Sequence, residues 1–458
     1  MATYDLAIIG AGPGGYVAAI RAGQLGMKVA CIERDVIGGV CLNWGCIPSK
    51  SLIRNAEVLN LVNDAGTYGI KTGAVKADYS VALQRSRKVV DRLTKGVGSL
   101  FRKNKVEFIT GEAKLTGPNS IAVNGDSIEA KNIIIATGSR PRMLPGIEVD
   151  GKTVVTYREA ILQDTAPSEA VIIGGGAIGV EFAYVYNAYG AKVTVVEFEP
   201  RILPKEDAEI STALTKALTK QGIKILTGAK VTEVKTSGKG ATVKVDGPDG
   251  EVSLPADRVL VAVGISANTE GLGLEEAGVE LDRGFVKVDG ELRANDNGMY
   301  AIGDVMGVMP LAHVAQGQAV HVVERIAGEE TYPLDYLAMP RAVYCNPQVA
   351  SMGLTEQEAQ EQGHEVKVGK FPLIANGKAL ALDDNEGFVK VIVDARTGEL
   401  LGAHLIGHEV TEMLGELSLT RLLEGTNVEI GAVINAHPTI SEAIKEAALA
   451  AEGKAVHI

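Results

Sequence analysis

Cysteine is scarce in this chain, with four residues among 458. So few cysteines exclude a secreted domain whose fold depends on a disulfide framework. A cysteine pair in a cytosolic protein is more often catalytic or metal-binding, so two cysteines close together need a chemical explanation. The chain also lacks an uncharged apolar run of about 18 residues, and we therefore predict that no segment spans a membrane.

Basic residues are outnumbered by acidic ones, 45 against 57, which gives a net charge of -12 and a pI of ≈ 5.3. An acidic surface argues against nucleic acid and against an anionic membrane as partners. Hydrophobic residues make up 46% of the chain, which is enough for buried cores. The length predicts about three domains.

A strand-like run, Tyr4 to Ile9, begins almost at the first residue. It leaves no room for a signal or transit peptide unless one was removed. We therefore expect a bacterial cytoplasm, or an organelle matrix after removal of a transit peptide.

The sequence contains a duplicated unit. YDLAIIGAGPGGYVAA opens the chain and EAVIIGGGAIGVEFAY recurs at 169–184, each reading as an apolar strand, G-x-G-x-x-G and a helical stretch. Downstream, LGMKVACIE (25–33) matches YGAKVTVVE (189–197), and each ends in an acid 18 residues after the last motif glycine. The residues of the motif are Gly10, Gly12, Gly15 and Glu33 in the first copy, and Gly174, Gly176, Gly179 and Glu197 in the second.

A single G-x-G-x-x-G motif is weak evidence for a dinucleotide site, but two copies in the same register predict two dinucleotide-binding units. The first glycine permits a tight turn, the second lets the backbone approach a pyrophosphate, and the third lets the helix pack on the strand. The helix N-terminus offers free N–H groups to the phosphates, and the terminal acid accepts hydrogen bonds from ribose hydroxyls. The alternative, two glycine-rich turns with solvated acids, is disfavoured because the whole unit repeats.

Hydride chemistry explains two dinucleotide sites, one for a flavin and one for a nicotinamide. We assign FAD to the first copy, because that copy leads directly into a cysteine-containing segment. The second copy, which carries Glu181 just after its last glycine, is assigned to NAD. Glu197 suits the free 2′-hydroxyl of NAD and repels a 2′-phosphate, although Arg201, which would suit NADP, is close in sequence.

GGVCLNWGCIPSK, residues 38–50, places four residues between Cys41 and Cys46. A zinc site usually needs four ligands in two close pairs, and the sequence has no second cysteine pair and no histidine nearby. Cys31 lies in a predicted buried strand and Cys345 stands alone, so we predict no metal site. Two inert thiols remain an alternative to a reversible disulfide, which we favour.

The two cysteines cannot be joined across a regular helix. In a regular helix, the rise of about 1.5 Å per residue over five residues would separate the Cα atoms of Cys41 and Cys46 by about 7.5 Å. A disulfide needs Cα atoms within about 7 Å. The turn must depart from regular helix, and Gly45 allows this. The run PSKSLIRNAEVLNLV predicts a helix that tolerates Pro48 in its first turn, so Cys46 lies near a helix N-terminus that favours a thiolate. Lys50 falls on the same face, although a surface lysine is the alternative.

NAHPTISEAIKEAALAA, residues 435–451, contains His437 and Glu442. Histidine titrates near neutral pH and can carry the proton of a thiol–disulfide reaction, and a carboxylate on its other nitrogen would fix the tautomer. Alternatively, Thr439-x-x-Glu442 is a capping box that opens an amphipathic helix, and His437 is a loop histidine.

With these residues in view, the chain resembles the pyridine nucleotide–disulfide oxidoreductases, and among them the dihydrolipoyl dehydrogenases, over its full length. GGVCLNWGCIPSK and AHPTISEA are the most specific matches. ATGSRP (136–141), VAVGISANT (261–269) and YAIGDV (300–305) follow in the expected order. Trp44, the only tryptophan, stands at a position that varies among relatives.

The resemblance implies that Cys46 is the sulfur next to the flavin and Cys41 the sulfur that exchanges with lipoamide. It implies that Lys50 lies beside the flavin and pairs with Glu181. The activity it implies is flavin-dependent oxidation of protein-bound dihydrolipoamide with reduction of NAD+.

The resemblance further implies that His437, held by Glu442, acts as the base from the partner subunit of a homodimer. The other implied partner is a lipoyl-bearing protein of a 2-oxo acid dehydrogenase or glycine cleavage complex, which must be a separate chain.

For the cofactors, the resemblance implies that Glu33 binds the FAD ribose and Asp304 its ribityl chain. The other implied FAD-binding residues are Gly10, Gly12, Gly15, Lys50, Ala113, Thr137, Gly138, Ser139, Leu311, Ala312 and His313. The implied NAD-binding residues are Gly174, Gly176, Gly179, Glu181, Glu197, Val231 and Gly264.

We therefore expect an α/β fold with two Rossmann-like domains, for FAD at 1–150 and for NAD at 151–270. A central segment, 271–340, would return to the FAD, and an α+β dimer-interface domain, 341–458, would close the chain. Glutathione reductase-like activity is disfavoured by Glu197, and the tail AAEGKAVHI lacks the cysteine pair of a mercuric reductase. A non-catalytic flavoprotein subunit is disfavoured because the cysteines, the lysine and the His–Glu pair are all present.

Overall fold

A computed structural model describes residues 2–238 and 240–458. Its strands are β1 Ala2–Ile9, β2 Val29–Glu33, β3 Glu107–Thr110, β4 Ala113–Gly117, β5 Ser120–Val123, β6 Asp126–Ile135, β7 Ser139–Pro141, β8 Val154–Val155, β9 Glu169–Ile173, β10 Lys192–Val196, β11 Lys224–Leu226, β12 Lys230–Ser237, β13 Gly240–Gly247, β14 Gly250–Ala256, β15 Arg258–Val261, β16 Ile265–Ala267, β17 Leu281–Asp282, β18 Phe285–Val286, β19 Met299–Ala301, β20 Arg341–Val343, β21 Gln348–Gly353, β22 Val366–Pro372, β23 Phe388–Asp394 and β24 Leu400–Gly407. Its helices are α1 Pro13–Gln24, α2 Gly39–Asn43, α3 Cys46–Asn63, α4 Tyr79–Lys103, α5 Tyr157–Ala160, α6 Ala177–Ala188, α7 Ala208–Lys220, α8 Ala312–Ala327, α9 Glu356–Glu361, α10 Gly377–Leu382, α11 Leu414–Leu422, α12 Asn427–Ala432 and α13 Glu442–Ala450.

The first sheet is built around parallel strands in the order β3-β2-β1-β6. Leu6 to Ile9 of β1 are at most 4% exposed, as expected of a parallel strand covered on both faces. The first half of β6 pairs with antiparallel β5, which pairs with β4, and its second half pairs with β19. Since β19 belongs to the segment 271–340, that segment returns to the first sheet.

The second sheet repeats this order as β11-β10-β9-β15, again with parallel pairs, and adds β8 at its edge. Helix α1 follows β1 in the first sheet, and helix α6 follows β9 in the second. The two dinucleotide-binding units predicted from the duplication are therefore confirmed as two α/β units of one plan.

Smaller elements connect the two sheets. Strands β7 and β16 pair antiparallel, which places Ser139 opposite Ala267. Strands β12, β13 and β14 form an antiparallel sheet between β11 and β15 in the chain, and β17 and β18 form a two-stranded ladder.

The C-terminal part is an antiparallel sheet in the order β20-β21-β24-β23-β22, and α13 packs on β22 and β23. Its core is apolar, with Met352, Val391 and Leu405 fully buried. Lys390 of β23, only 2% exposed, reaches into the second unit, where its Nζ lies 3.1 Å from Oδ2 of Asp207. The expected α+β domain at the end of the chain is confirmed.

Among the described residues, no helix combines the length and the apolar composition that crossing a bilayer requires.

Candidate active site

The two glycine-rich turns have the same backbone geometry. Gly10 and Gly174 have φ values of 108° and 109°, in the left-handed region that favours glycine. A Cβ atom at Gly10 would overlap the carbonyl oxygen of Ala136, and one at Gly174 would overlap that of Ala262. Each turn therefore depends on glycine at its first position.

The acids at the ends of β2 and β10 are held in the same way. Glu33 accepts hydrogen bonds from the backbone N–H groups of Ala11, at 2.7 Å, and Asp35, at 2.9 Å. Glu197 accepts from Gly175, at 2.6 Å, and Glu199, at 2.8 Å. Each carboxylate is thus fixed against its own glycine turn, where a nucleotide ribose would bind.

Both turns open on one cavity of ≈ 1190 Å³. Gly12 and Gly176 are the N-caps of α1 and α6, and neither helix N-terminus has a side-chain cap. Free N–H groups at a helix N-terminus suit a pyrophosphate. The volume of the cavity and the two uncapped helix ends at its wall fit two dinucleotides.

The cavity brings together most of the predicted residues. Those that border it are Gly10, Gly12, Glu33, Cys41, Cys46, Lys50, Ala113, Thr137, Gly138, Ser139, Gly176, Glu181, Gly264, Asp304, Leu311 and Ala312. Of the described residues predicted for the site, Gly15, Gly174, Gly179, Glu197, Val231, His313, His437 and Glu442 are not part of its wall. Gly15 and Gly179 instead let α1 and α6 pack on the carbonyl oxygens of Gly10 and Gly174.

Cys41 and Cys46 are joined by a disulfide at the cavity wall, with Cα atoms 4.7 Å apart. The predicted departure from regular helix is confirmed, because α2 ends at Asn43 and α3 begins at Cys46. A Cβ atom at Gly45 would lie 3.1 Å from the carbonyl oxygen of Val40, so glycine permits this close approach. Cys31 and Cys345 are buried, and burial raises the pKa of both thiols, which leaves them unreactive.

The predicted pairing of Lys50 with Glu181 is present, with Nζ 2.9 Å from both carboxylate oxygens. Glu181 is 6% exposed and also accepts the backbone N–H of Tyr344 at 3.1 Å. Lys50 Nζ lies 4.4 Å from the centre of the Tyr344 ring. A lysine from α3 and a glutamate from α6 thus join the disulfide segment to the second glycine turn, and the alternative of a free surface lysine is wrong.

Asp304 follows β19 and borders the cavity. Burial raises its pKa above the usual value, and the hydrogen bond that Ser139 Oγ donates to its Oδ2, at 2.7 Å, opposes this rise. A buried carboxyl facing a cavity is suited to accept from a ligand hydroxyl.

His437 and Glu442 form a pair away from the cavity wall. Glu442 Oε1 lies 2.9 Å from His437 Nδ1, and Oε2 accepts the backbone N–H of Thr439 at 2.9 Å. Burial alone would raise the pKa of Glu442, but the bonds from Thr439 and His437 lower it, so the carboxylate is ionised and the imidazole donates through Nδ1. The His437 side chain is 80% exposed, with Nε2 left for other contacts.

The capping-box alternative is wrong in its geometry. Helix α13 begins at Glu442 rather than after Thr439, and the Thr439 hydroxyl donates to the carbonyl oxygen of Ala436. One oxygen of Glu442 does bind the Thr439 N–H, as a capping box requires, but the other holds His437.

Val231 and His313, also predicted for the cofactors, are not part of the cavity wall. Val231, in β12, packs on the hydrophobic core around β13, and His313 is exposed with Nε2 2.7 Å from the carbonyl oxygen of Pro340. Both assignments come from the resemblance alone, and they stay predictions. Arg201 donates to the backbone carbonyl of Pro204 at 3.2 Å, so its guanidinium is engaged within its own loop.

Sequence reasoning missed an aromatic–cation contact beside the disulfide. The guanidinium carbon of Arg158, in α5, lies 3.9 Å from the centre of the Trp44 ring, and Arg158 forms an ion pair with Asp35 at 2.7 Å. All three residues border the cavity. Arg158 is far from Trp44 and Asp35 in the chain, and no local pattern indicates that it meets them.

The chain matches two family models, "Pyridine nucleotide-disulphide oxidoreductase" over residues 4–319 and its dimerisation domain over residues 339–448. A protein named dihydrolipoyl dehydrogenase from Rhizobium etli is 50% identical, with 99% of each chain covered. Proteins of the same name from Zymomonas mobilis, at 99% of each chain, and Bacillus subtilis, at 100% of each, are 48% and 46% identical.

Among solved structures, LpdA from Mycobacterium tuberculosis superposes with a TM-score of 0.90 at 27% identity, over 98% of this chain and 99% of that one. The HOCl-induced flavoprotein disulfide reductase RclA from Escherichia coli superposes with a TM-score of 0.86 at 28% identity, over 97% and 99%. From the two family matches and the full-length relatives, the chain belongs to the pyridine nucleotide–disulphide oxidoreductase family.

Proposed function

We propose that this protein oxidises dihydrolipoamide to lipoamide and reduces NAD+ to NADH. The observation that carries the proposal is the position of the Cys41–Cys46 disulfide, which borders the same cavity as both glycine-rich turns. A disulfide between two dinucleotide sites is placed to exchange electrons with both a thiol substrate and a cofactor. The full-length likeness to dihydrolipoyl dehydrogenases supports the choice of substrate.

FAD would occupy the first unit, at the glycine turn of α1, with Glu33 at its ribose and Asp304 at its ribityl chain. NAD would occupy the second unit, at the glycine turn of α6, with Glu197 at its ribose. When bound, the flavin would supply an acceptor for the electron pair of the protein dithiol and a hydride donor for NAD+, which would be the final acceptor.

The disulfide carries the thiol chemistry. One thiolate of dihydrolipoamide attacks the sulfur of Cys41, and the Cys41–Cys46 bond breaks with its electron pair on Cys46. The second thiolate of the substrate then attacks the substrate sulfur of the mixed disulfide. The bond between that sulfur and Cys41 breaks, which forms lipoamide and leaves Cys41 as a thiolate. The leaving thiolate of Cys46 is stabilised because Cys46 is the first residue of α3 and Lys50 lies on the following turn.

His437 would accept the protons that the substrate thiols release, through the Nε2 left free by Glu442. In one chain, its side chain is exposed and lies outside the cavity wall. We propose that it acts at the disulfide of a second copy, so that the homodimer is the active unit. The match of residues 339–448 to the dimerisation domain supports this arrangement.

A lipoyl-bearing protein of a 2-oxo acid dehydrogenase or glycine cleavage complex is the proposed macromolecular partner. The relatives named above come from bacteria, which favours the bacterial cytoplasm over an organelle matrix as the compartment.

A paired assay tests the proposal. Purified protein is given dihydrolipoamide with NAD+ in one reaction, and oxidised glutathione with NADPH in the other. We expect turnover in the first alone. Turnover in the second alone would refute both the substrate and the reading of Glu197, and inactivity of a yellow dimer in both would refute the substrate.

A further inference from the structure

The break between α2 and α3 is what allows Cys41 and Cys46 to meet. A continuous helix would part their Cα atoms by about 7.5 Å of rise, against the 4.7 Å observed. Helical residues flank the break on both sides, and the N-cap position of α3, Gly45, offers no side chain to hold it. When the disulfide opens, the covalent restraint on this geometry is lost.

We propose that Arg87 and Arg158 are positioning residues that preserve this break in the dithiol state, so that the two sulfurs stay close enough to rejoin. The inference deepens the proposed function and rests on the redox role assigned there to the two cysteines.

Arg87 binds the backbone carbonyl group that would accept a helical hydrogen bond if α2 and α3 formed one continuous helix. In a regular helix, the carbonyl oxygen of Asn43 would accept from the N–H four residues on, that of Ile47. Instead, Nη1 of Arg87, from α4, donates to this oxygen at 2.6 Å. Charge-assisted hydrogen bonds are stronger than neutral ones, so helix propagation across the break must displace a strong partner.

The side chain of Asn43 restrains the same residue from the other direction. It is 7% exposed, and its Nδ2 donates to the carbonyl oxygens of Ile37, at 3.0 Å, and Gly39, at 2.9 Å. The side chain of Asn43 is therefore tied to the beginning of α2. The backbone carbonyl oxygen of Asn43, which would accept the next helical hydrogen bond, is bound by Arg87.

Arg158 restrains the next residue. Its guanidinium lies over the Trp44 ring at 3.9 Å and is held there by Asp35. Continuing the helix through Trp44 would turn the indole away from this position. The contact comes from a different element, α5, and is therefore separate from the hydrogen bond that Arg87 of α4 makes to Asn43 of α2.

The equilibrium between the protein and dithiothreitol measures the effect directly. The protein dithiol gives two electrons and two protons to oxidised dithiothreitol, forming the Cys41–Cys46 bond and leaving reduced dithiothreitol. Holoenzyme is equilibrated at several thiol ratios and quenched with acid, and the two states are quantified by mass spectrometry.

For Arg87→Met we expect the constant for disulfide formation to fall about tenfold, as removal of one charged hydrogen bond predicts. Arg87→Lys should recover part of the loss, and Arg158→Gln should shift the constant in the same direction. The matched control is Arg85→Met, because Arg85 lies on the same helix but donates to Ser51 and Asn55 of α3 instead of the break.

An unchanged constant in Arg87→Met, or an equal fall in Arg85→Met, would overturn the inference. If Arg87→Met does not fold, Arg158→Gln decides, because Arg158 is half exposed and an unchanged constant there has the same meaning. A wild-type protein whose cysteines do not exchange with dithiothreitol at all would instead refute the proposed function.

Discussion

His437 and Glu442 are paired through Nδ1 and Oε1 at 2.9 Å, and the same distance joins His457 to Glu446 at the end of the chain. Both imidazoles are largely exposed, at 80% and 70%. The two pairs differ in the role proposed for them, since only the first is assigned to catalysis. The His457–Glu446 pair can therefore serve as an internal control for the His437–Glu442 pair.

We expect His437→Gln to lower the kcat for dihydrolipoamide oxidation by about 100-fold, the usual contribution of a general base. Glu442→Gln should also lower kcat, because an amide does not fix the imidazole tautomer. His457→Gln is the matched control and should turn over as the wild type does. Wild-type kcat in His437→Gln would remove this residue from the mechanism.

The lowered pKa of Glu442 predicts a pH dependence of stability. A carboxyl whose pKa is lower in the folded state stabilises the fold above its unfolded pKa, about 4.3, and this contribution is lost as the pH falls through the folded value. The unfolding midpoint of the wild type should therefore exceed that of Glu442→Gln at pH 7, and the gap should close in acid. Glu424→Gln, which removes an exposed carboxylate of the same domain, is the control. A gap that does not change with pH would contradict the assignment.

Removal of Lys50 leaves the buried Glu181 carboxylate without its cation. Lys50→Met should lower the free energy of unfolding by about 1–3 kcal/mol, the cost of an unsatisfied buried group. The double variant Lys50→Met/Glu181→Leu should recover much of the loss. The exposed pair Lys192–Glu169 supplies the comparison, and Lys192→Met should cost less than about 1 kcal/mol. Equal losses in the two lysine variants, measured by denaturant unfolding, would mean that burial does not matter here.

Cys46→Ser should abolish dihydrolipoamide oxidation, because a hydroxyl cannot form the disulfide or accept the electron pair on bond cleavage. The same variant should retain some oxidation of NADH through its flavin, since the dinucleotide turns do not involve this sulfur. Both activities are followed by absorbance of NADH. Normal lipoamide turnover in this variant would end the proposed mechanism.

Selection of NAD over NADP should depend on Glu197. We expect Glu197→Ser to lower the ratio of kcat/KM for NAD+ to that for NADP+ by about tenfold, since the repulsion of a 2′-phosphate and one ribose acceptor are both lost. Glu199→Ser changes an exposed acid two residues away and should leave the ratio unchanged. An unaltered ratio in Glu197→Ser would place the selectivity elsewhere.

The sequence predicted the parts of the site that follow from local geometry. Glu33 and Glu197 each follow the last glycine of their motif by 18 residues. The two carboxylates were therefore expected to bind their glycine turns in the same way, and they do. The spacing of Cys41 and Cys46 required a break in the helix because a regular helix is too long to join them. In each case the distance along the chain fixes the distance in space.

The contacts that were missed depend on how distant segments pack. Arg87 and Arg158 reach the disulfide turn from α4 and α5, and nothing near either residue in the sequence indicates its target. Thr439 had the spacing of a capping box, but Glu442 divides its two oxygens between Thr439 and His437 and the helix begins later. A local motif could not show that one carboxylate serves two donors.

Trp44 is the only tryptophan of the chain and lies between the two cysteines at the cavity wall. Intrinsic tryptophan fluorescence therefore comes from a single place, the turn that carries the disulfide. A flavin bound in the same cavity would quench this emission by energy transfer. The protein thus carries an optical reporter of cofactor loading and of the disulfide turn, and neither requires an added dye.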